Sequence, residues 1–334
     1  VARLVPTLDN DQHKLAIAGG LLLFVVFGIK AAMLPVGFWL PKTYAVASTP
    51  VAAIFTLMTK VGIYAILRVN GTVFDDAFAH EILKSSLLVI GLITSIYGVI
   101  GAIAAERLRR FVGFMVLSSV GTLLVAIAMM NTLAWAAALY YLIHSTLIAA
   151  AFYLFCGWMT FQRGVFKDHL KVAPRIKQQK TAALTYFIIA LMMAGLPPFS
   201  GFFGKVFILQ ATAGTAYQAW IIAIILIVSL LSILAFTRVG FILFWRASPP
   251  EDDPNQTAYR TYEALPDRAP KRNDIAIYTI LAGLMAYVVF AAPIQRYTFA
   301  TVQQIQNHAL YNQVILKTDA QDRAISVQPF DPSY

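Results

Sequence analysis

Hydrophobic residues in this chain run on in long blocks, without the alternation of a half-buried strand or the narrow stripe of a soluble helix. A helix needs about 20 such residues to cross an apolar core of about 30 Å. Eight segments come to about that length: Leu15–Pro41, Thr49–Arg68, Leu83–Ala105, Phe111–Met130, Leu133–Thr160, Thr181–Thr212, Ala219–Trp245 and Ile275–Ala292. The pattern predicts an all-α polytopic membrane protein with about eight transmembrane helices, two of them broken. Its spanning region would cover residues 15–293, between a segment 1–14 and a polar tail 294–334.

Composition agrees. Of 334 residues, 59% are hydrophobic and 13% charged, whereas roughly a quarter of a soluble protein is charged. The net charge of +10 sits mainly in short connections, which is a topology signal and not a nucleic-acid surface. The stretch ERLRR (Glu106–Arg110) carries three arginines. Arg163–Lys180 carries Arg163, Lys167, Lys171, Arg175, Lys177 and Lys180 against the single acid Asp168, and Arg246–Asp274 is basic at both ends. The connections near Asn131 and Gly214–Gln218 are uncharged, and Asp75–Lys84 is mostly acidic. Basic and non-basic loops alternate, so the basic ones are expected on the cytoplasmic side, with 1–14 and 294–334 outside. Arg163–Lys180 also predicts a short amphipathic piece lying on the membrane surface. The one cysteine, Cys156, falls in an apolar run and can build neither a disulfide framework nor a metal cluster. No phosphate-cradling glycine loop, metal-ligand spacing or nucleophile triad is present, so no cofactor is expected. The start at Val1, with no initiator Met, basic n-region or cleavage site, reads as a fragment or a processed product.

Three lysines interrupt the apolar runs. Lys60, in TLMTKVGIYAIL, is near the middle of the second span; Lys30 lies in the first and Lys205 in the sixth. Each would cost about 2.5–3.5 kcal/mol at the bilayer centre, together roughly 8–10 kcal/mol. Snorkelling from a helix end accounts for Arg68, Arg238 and Arg246. It fails for Lys60, which has long apolar runs on both sides. No Asp or Glu lies inside any predicted span. The ammonium groups must therefore shed their protons part of the time or find carboxylates elsewhere, and either state suits a proton path.

Lys30 and Lys205 share helix-breaking neighbours: Gly28, Pro35 and Gly37 for one, and Gly195, Pro197, Pro198, Gly201 and Gly204 for the other. A straight helix over Thr181–Thr212 would be about 48 Å long, which also argues for a break. Broken helices at membrane depth are tolerated where they line a polar cavity. Two such segments in matching positions point to an inverted-repeat transporter, with a packing kink as the plainer reading. His144, in LYYLIHSTL, reads either as a hydrogen-bonded packing residue or as a relay between lysines. Thr56, Thr59 and Tyr64 near Lys60, and Ser118 and Ser119 in the fourth span, either hold waters or join helices.

Taken together, FGIKAAMLPVGFWLP, TKVGIYAILRV, ERLRRFVGFMVLSSVG, LYYLIHSTL and GLPPFSGFFGKVFIL resemble, in that order, helices seven to twelve of the antiporter-like family. That family includes the A-type and D-type subunits of the Mrp (Mnh, Pha) cation/proton antiporters and the large membrane subunits of NADH:quinone oxidoreductase. The resemblance implies a fold of about fourteen helices in two inverted repeats, of which this chain covers the seventh to the fourteenth. It implies that Lys30 pairs with a glutamate on the family's fifth helix, that Lys60 and His144 lie on the central proton path, and that Lys205 is the twelfth-helix site. Lysine in PPFSGFFGK, with a short C-terminal end, is most similar to the D-type subunits.

The function so implied is proton translocation within a multisubunit Na+ or K+/proton antiporter of a bacterial inner membrane, a transporter and not an enzyme. Its partners would be A- and C-type subunits, H+, Na+ or K+ and membrane lipid, with no nucleic acid. The alternative is a proton-pumping membrane subunit of a quinone- or hydrogenase-linked redox complex.

Overall fold

The computed structural model describes residues 10–72, 77–246 and 271–306. Within them the chain is helical, apart from turns and one isolated antiparallel bridge between Arg107 and His169. The α-helices are α1 Asn10–Ala31, α2 Trp39–Val46, α3 Thr49–Thr72, α4 Ala77–Ile103, α5 Leu108–Ala128 and α6 Thr132–Gln162. They continue as α7 Gln179–Ala194, α8 Ser200–Gln210, α9 Gln218–Gly240, α10 Lys271–Val289 and α11 Ala291–Gln306. A 3₁₀ turn, Val36–Phe38, links α1 to α2, and a π-helical turn, Phe241–Trp245, continues α9.

Among the described residues six helical stretches are long and apolar enough to cross a membrane, or seven with the bent pair α10–α11. The remaining expected span, Thr181–Thr212, is two shorter helices, α7 and α8, because Gly195, Pro197 and Pro198 end one before the other begins. The first span is likewise split into α1 and α2 around Pro35.

One expectation needs correction. The stretch 163–178 holds no surface helix, only a 3₁₀ turn at Gly164–Phe166. Its backbone is held instead by the buried Arg163 guanidinium, which donates to the carbonyls of His169 at 2.5 Å and Lys171 at 2.8 Å. Burial holds that guanidinium down to about 10, while the Asp168 carboxylate pulls the other way, so it stays charged at neutral pH. The first residues of the expected polar tail, 294–306, belong to α11, which turns 81° away from α10 and packs Thr298, Val302 and Ile305 inward. Residues 1–9 and 307–334 of the two expected outer segments lie outside the described residues, as do 73–76 and 247–270 in two of the expected loops.

The buried side chains form two apolar clusters, one above the other. The first takes Ala52 and Ala53 from α3, Leu108–Leu117 from α5, Ile148–Met159 from α6 and Ala235–Phe244 from α9 and its π-turn. The second takes Ile63–Leu67, Val120–Met129, Ala134–Tyr141 and Ile221–Ile225 from the same helices. The first cluster lies toward the end where the basic loops meet. There Leu108 N–H donates to the Asp168 carbonyl at 2.7 Å, Arg109 donates to the Ala47 carbonyl at 3.2 Å and Arg238 donates to the Ala105 carbonyl at 3.2 Å. α5 is apolar nearly all round and is enclosed along its whole length, as such a helix should be. The large apolar side chains of α1, α3, α4 and α9 instead cover the outside, as expected of surfaces facing lipid or other apolar helices.

α4 and α5 approach to backbone contact. A Cβ on Gly98 would press on the backbone of Ser118, and one on Gly121 on that of Ser95, so small residues set this spacing. Gly121→Ala is expected to destabilise the protein by about 1–3 kcal/mol. Gly283→Ala, on α10 with nothing within 4 Å of its Cβ position, should be neutral or stabilising by up to about 1 kcal/mol. Thermal unfolding of the two purified variants beside the parent checks both.

Candidate functional site

Between the two apolar clusters the central helices change to polar residues at one height. α3 contributes Thr56, Thr59 and Lys60, and α4 contributes Thr94 and Ser95. α5 contributes Ser118, Ser119 and Thr122, α6 contributes His144 and Ser145, and α8 and α9 contribute Ser200 and Ser232. Lys205 and Ser229 complete the layer at its edge. Most of the small hydroxyls satisfy themselves on carbonyls three or four residues back in their own helix, as Thr56, Thr59, Ser119, Thr122 and Ser145 do. That leaves their oxygen lone pairs free to accept from something else.

Lys60 uses one of them. It is 1% exposed, and its Nζ donates to Ser119 Oγ at 2.8 Å across the α3–α5 interface. His144, also 1% exposed, shares a hydrogen bond between its Nδ1 and Ser200 Oγ at 2.8 Å, joining α6 to the first turn of α8. Lys205 donates from Nζ to the Ala194 carbonyl at 2.7 Å and to Ser229 Oγ at 2.9 Å. His144 lies within electrostatic reach of both ammonium groups. Ser118, Ser119, Thr122, His144, Ser145, Lys205, Ser229 and Ser232, with Tyr141, line one cavity with about 20 Å³ open to water centres, room for at least one ordered water. Among the described residues no carboxylate lines it.

The helix breaks supply part of this chemistry. α7 ends in a Schellman turn: Gly195 takes φ +80°, its N–H donates to the Met192 carbonyl at 3.2 Å, and Leu196 N–H donates to the Leu191 carbonyl at 3.1 Å. The Ala194 carbonyl lies at the break, and it points the negative end of α7 at the Lys205 ammonium. Gly201, the second residue of α8, sits so close to α6 that a Cβ there would lie 2.7 Å from His144 Nε2. α1 ends with the same pattern. Ala32 takes φ +60°, its N–H donates to the Ile29 carbonyl at 3.1 Å, and Met33 N–H donates to the Gly28 carbonyl at 3.0 Å. The Leu34 N–H freed by the break is taken up by Thr94 Oγ1 at 3.2 Å.

His144 and Lys205 thus line one cavity, and Lys60 meets its wall through the bond to Ser119. Lys30 does neither. It occupies the last turn of α1 and its side chain is exposed. Its backbone packs on α3 at Gly62, two residues beyond Lys60. Pro35, Pro197 and Pro198 lie in the turns between the half-helices. Ser200 and Ser229 were not singled out by the sequence; a serine in an apolar helix carries no signal until its partner across the interface is known. Ser119 was noted, but with packing as an equal reading.

A sequence profile of the NADH:quinone oxidoreductase/Mrp antiporter transmembrane family matches residues 3–232, more than half of the chain. The chain belongs to this family. Among its relatives is the D-type subunit of the Na(+)/H(+) antiporter of Bacillus subtilis, 34% identical over 261 residues, which covers 77% of this chain and 51% of that protein. The D-type subunit of a probable K(+)/H(+) antiporter of Rhizobium meliloti is 32% identical, covering 73% and 51%. The chain spans about half the length of these family members. Its fold is also that of a chain in the Mrp complex from Dietzia sp., with a TM-score of 0.74 at 23% identity over 90% of this chain and 61% of that one. A chain of Thermus thermophilus respiratory complex I has a TM-score of 0.73 at 21% identity, covering 88% and 59%. The all-α, antiporter-like membrane fold expected from the sequence is therefore the fold of this family.

Ser119→Ala would leave the Lys60 ammonium without its hydroxyl acceptor in a buried site. The expected loss of stability is about 1–3 kcal/mol, while Ser119→Thr, which keeps the hydroxyl, should retain most of it. Thermal unfolding of the two variants separates an acceptor role from simple packing.

Proposed function

We propose that this chain belongs to the D-type component of a hetero-oligomeric Na+ or K+/proton antiporter in a bacterial inner membrane, and that it carries protons across the midplane. The observation that supports this most strongly is the polar layer itself. Lys205 and His144 line a water-sized cavity that no described carboxylate lines, Lys60 donates to Ser119 in its wall, and each of the three groups is held by a hydroxyl. An ammonium held only by neutral acceptors can release its proton into the same hydrogen bonds that hold it. A purely structural core would gain from replacing these groups with apolar ones.

In this reading a proton on Lys60 passes by way of Ser119 and cavity water to His144, and on to Lys205. Each hop is a shift along hydrogen bonds, with the serines accepting one proton as they donate another. The carbonyl end of α7 and Ser229 stabilise the charge while it rests on Lys205. Lys30 acts as the switch. Its exposed ammonium would meet a glutamate from a helix outside this chain, as the family resemblance implies, and making or breaking that pair changes the charge felt at Lys60 one helix away. A- and C-type subunits would complete the assembly. The basic end, with Arg107, Arg109, Arg110, Arg163 and Lys171, would face the cytoplasm.

The second reading, a proton-pumping membrane component of a redox complex, is favoured by the family's oxidoreductase members and the complex I likeness. Both readings share the relay and differ in what drives it. Everted vesicles bearing the assembled complex distinguish them. An acid gradient set up by respiration should collapse when Na+ or K+ is added. Lys60→Ala should slow that response at least about a hundredfold, the scale of a lost acid–base group, while the complex still assembles. Wild-type rates in an assembled Lys60→Ala complex would exclude both readings. Acidification that ignores added cation but follows an electron donor and is lost in the variant would select the redox reading.

A further inference from the structure

The first apolar cluster lies between the polar layer and the basic end, and it contains the hydroxyls of Tyr44 and Tyr153 and the thiol of Cys156. Thr56, Thr59 and Lys60 share one face of α3, three and four residues apart. Tyr44 of α2 is fully buried beside them, donating its hydroxyl to the Phe55 carbonyl at 2.5 Å and lying within hydrogen-bonding reach of the Thr59 side chain. The Tyr44 ring packs on that of Tyr153, centroid to centroid 5.8 Å, on the part of α6 between His144 and the basic loop. Tyr153 is 0% exposed, yet its hydroxyl has no hydrogen-bond partner among the described residues. It faces α5 at Gly113, where a Cβ would lie 3.2 Å from the oxygen. One turn further along α6, Cys156 is within electrostatic reach of Tyr153 and also of Asp168 and Arg109. Asp168 is 5% exposed; its Oδ2 and the Nε of Arg109 are buried, 3.9 Å apart, and neither atom makes a hydrogen bond among the described residues.

Buried polar atoms without partners are rare in folded proteins, and the usual explanation is an ordered water. Here three of them lie around Cys156: the Tyr153 hydroxyl, Arg109 Nε and Asp168 Oδ2. The Arg109–Asp168 gap is too long for a hydrogen bond and of a size that one water bridges. A tyrosine placed only for packing would be as well served by phenylalanine, because its buried hydroxyl here gains nothing.

We infer that a proton route, bridged by ordered waters where buried polar atoms lack partners, joins the basic end to Lys60 by way of Asp168 and Arg109, Cys156, Tyr153, Tyr44 and Thr59. This deepens the reading above and rests on Lys60 being a proton carrier. A proton reaching Asp168 from solvent moves inward along waters. At each hydroxyl, one proton is accepted on oxygen as another is donated onward, so no phenol changes charge overall. Asp168 gathers protons at the mouth, with Arg109 and the buried Arg163 keeping its carboxylate in place, and Tyr153 bridges the apolar stretch between mouth and layer.

The test uses the assembled complex in everted vesicles. Tyr153→Phe removes one oxygen that makes no bond in the structure, so packing alone predicts wild-type assembly and wild-type transport. The proposed route predicts wild-type assembly with proton flux down about tenfold or more, a barrier change of about 1.4 kcal/mol. Asp168→Asn keeps the backbone bond from Leu108 and should cut flux by a similar factor, and it decides the matter should Tyr153→Phe assemble poorly. Full flux in assembled Tyr153→Phe, or in Asp168→Asn where the first variant does not assemble, overturns the route. Lys60→Ala in the same membranes keeps the two ideas apart. If it too transports normally, the relay has failed; if it alone is dead, the relay stands and this route does not.

Discussion

The buried ammonium of Lys60 constrains everything around it. It lies at mid-height in a helix bundle with 1% of its surface exposed, beside a cavity that no described carboxylate lines. A charge in such a place requires polar neighbours, since neither apolar packing nor bulk water can stabilise it. The bundle answers on several helices at once. α5 presents Ser118, Ser119 and Thr122, α6 turns His144 and Ser145 inward, and α8 and α9 bring Ser200, Lys205 and Ser229. The apolar core is divided in two as a consequence. Because α5 is enclosed along its length, its serines can meet groups from both sides, and the α4–α5 glycine seam leaves room for that enclosure.

The helix breaks follow from the same requirement. A continuous helix offers its carbonyls only to itself, so it cannot help to hold a cation at mid-membrane. Ending α7 at Gly195 frees the Ala194 carbonyl at the depth where Lys205 needs an acceptor, and starting α8 at Ser200 puts a hydroxyl against His144. α1 ends with the same hydrogen-bond pattern, but with Ala32 at a positive φ. A left-handed alanine costs about 1–2 kcal/mol that glycine would not. The chain bears it where Ala32 is wholly buried, which suggests that the geometry of this turn matters more than its cost.

Much of this was legible in the sequence. Lysines in apolar runs with no acid among them announced a buried polar site, and Pro and Gly beside two of them announced the breaks. Run length pointed to long helices, because in a membrane helix length is set by the bilayer and not by local propensity. What stayed hidden depends on contacts across interfaces. Ser229 became an acceptor only when α9 came to lie beside α8, and Tyr153 gave no sign that its hydroxyl lacks a partner. The loop 163–178 misled for a different reason. Its spaced basic residues read as a surface helix, but Arg163 turns inward and binds the carbonyls of its own loop. A guanidinium with several donors can organise irregular backbone that periodicity cannot describe.

Lys30 points beyond this chain. Its neighbours on α1, among them Leu22, Val25, Val26 and Ile29, are 45–68% exposed. Such a stripe belongs against lipid or another helix, but a lysine in it does not belong against lipid unless its ammonium reaches the headgroups. Beside Gly62 of α3, and only two residues from the mid-membrane Lys60, it is badly placed to do so. In the proposed reading, this apolar surface with one cation near mid-height would meet an apolar partner with one anion at the same height. Because the α1 backbone at Lys30 rests directly on α3, whatever meets that lysine is felt by the helix that carries Lys60. Assembly and proton movement would then depend on a single interface.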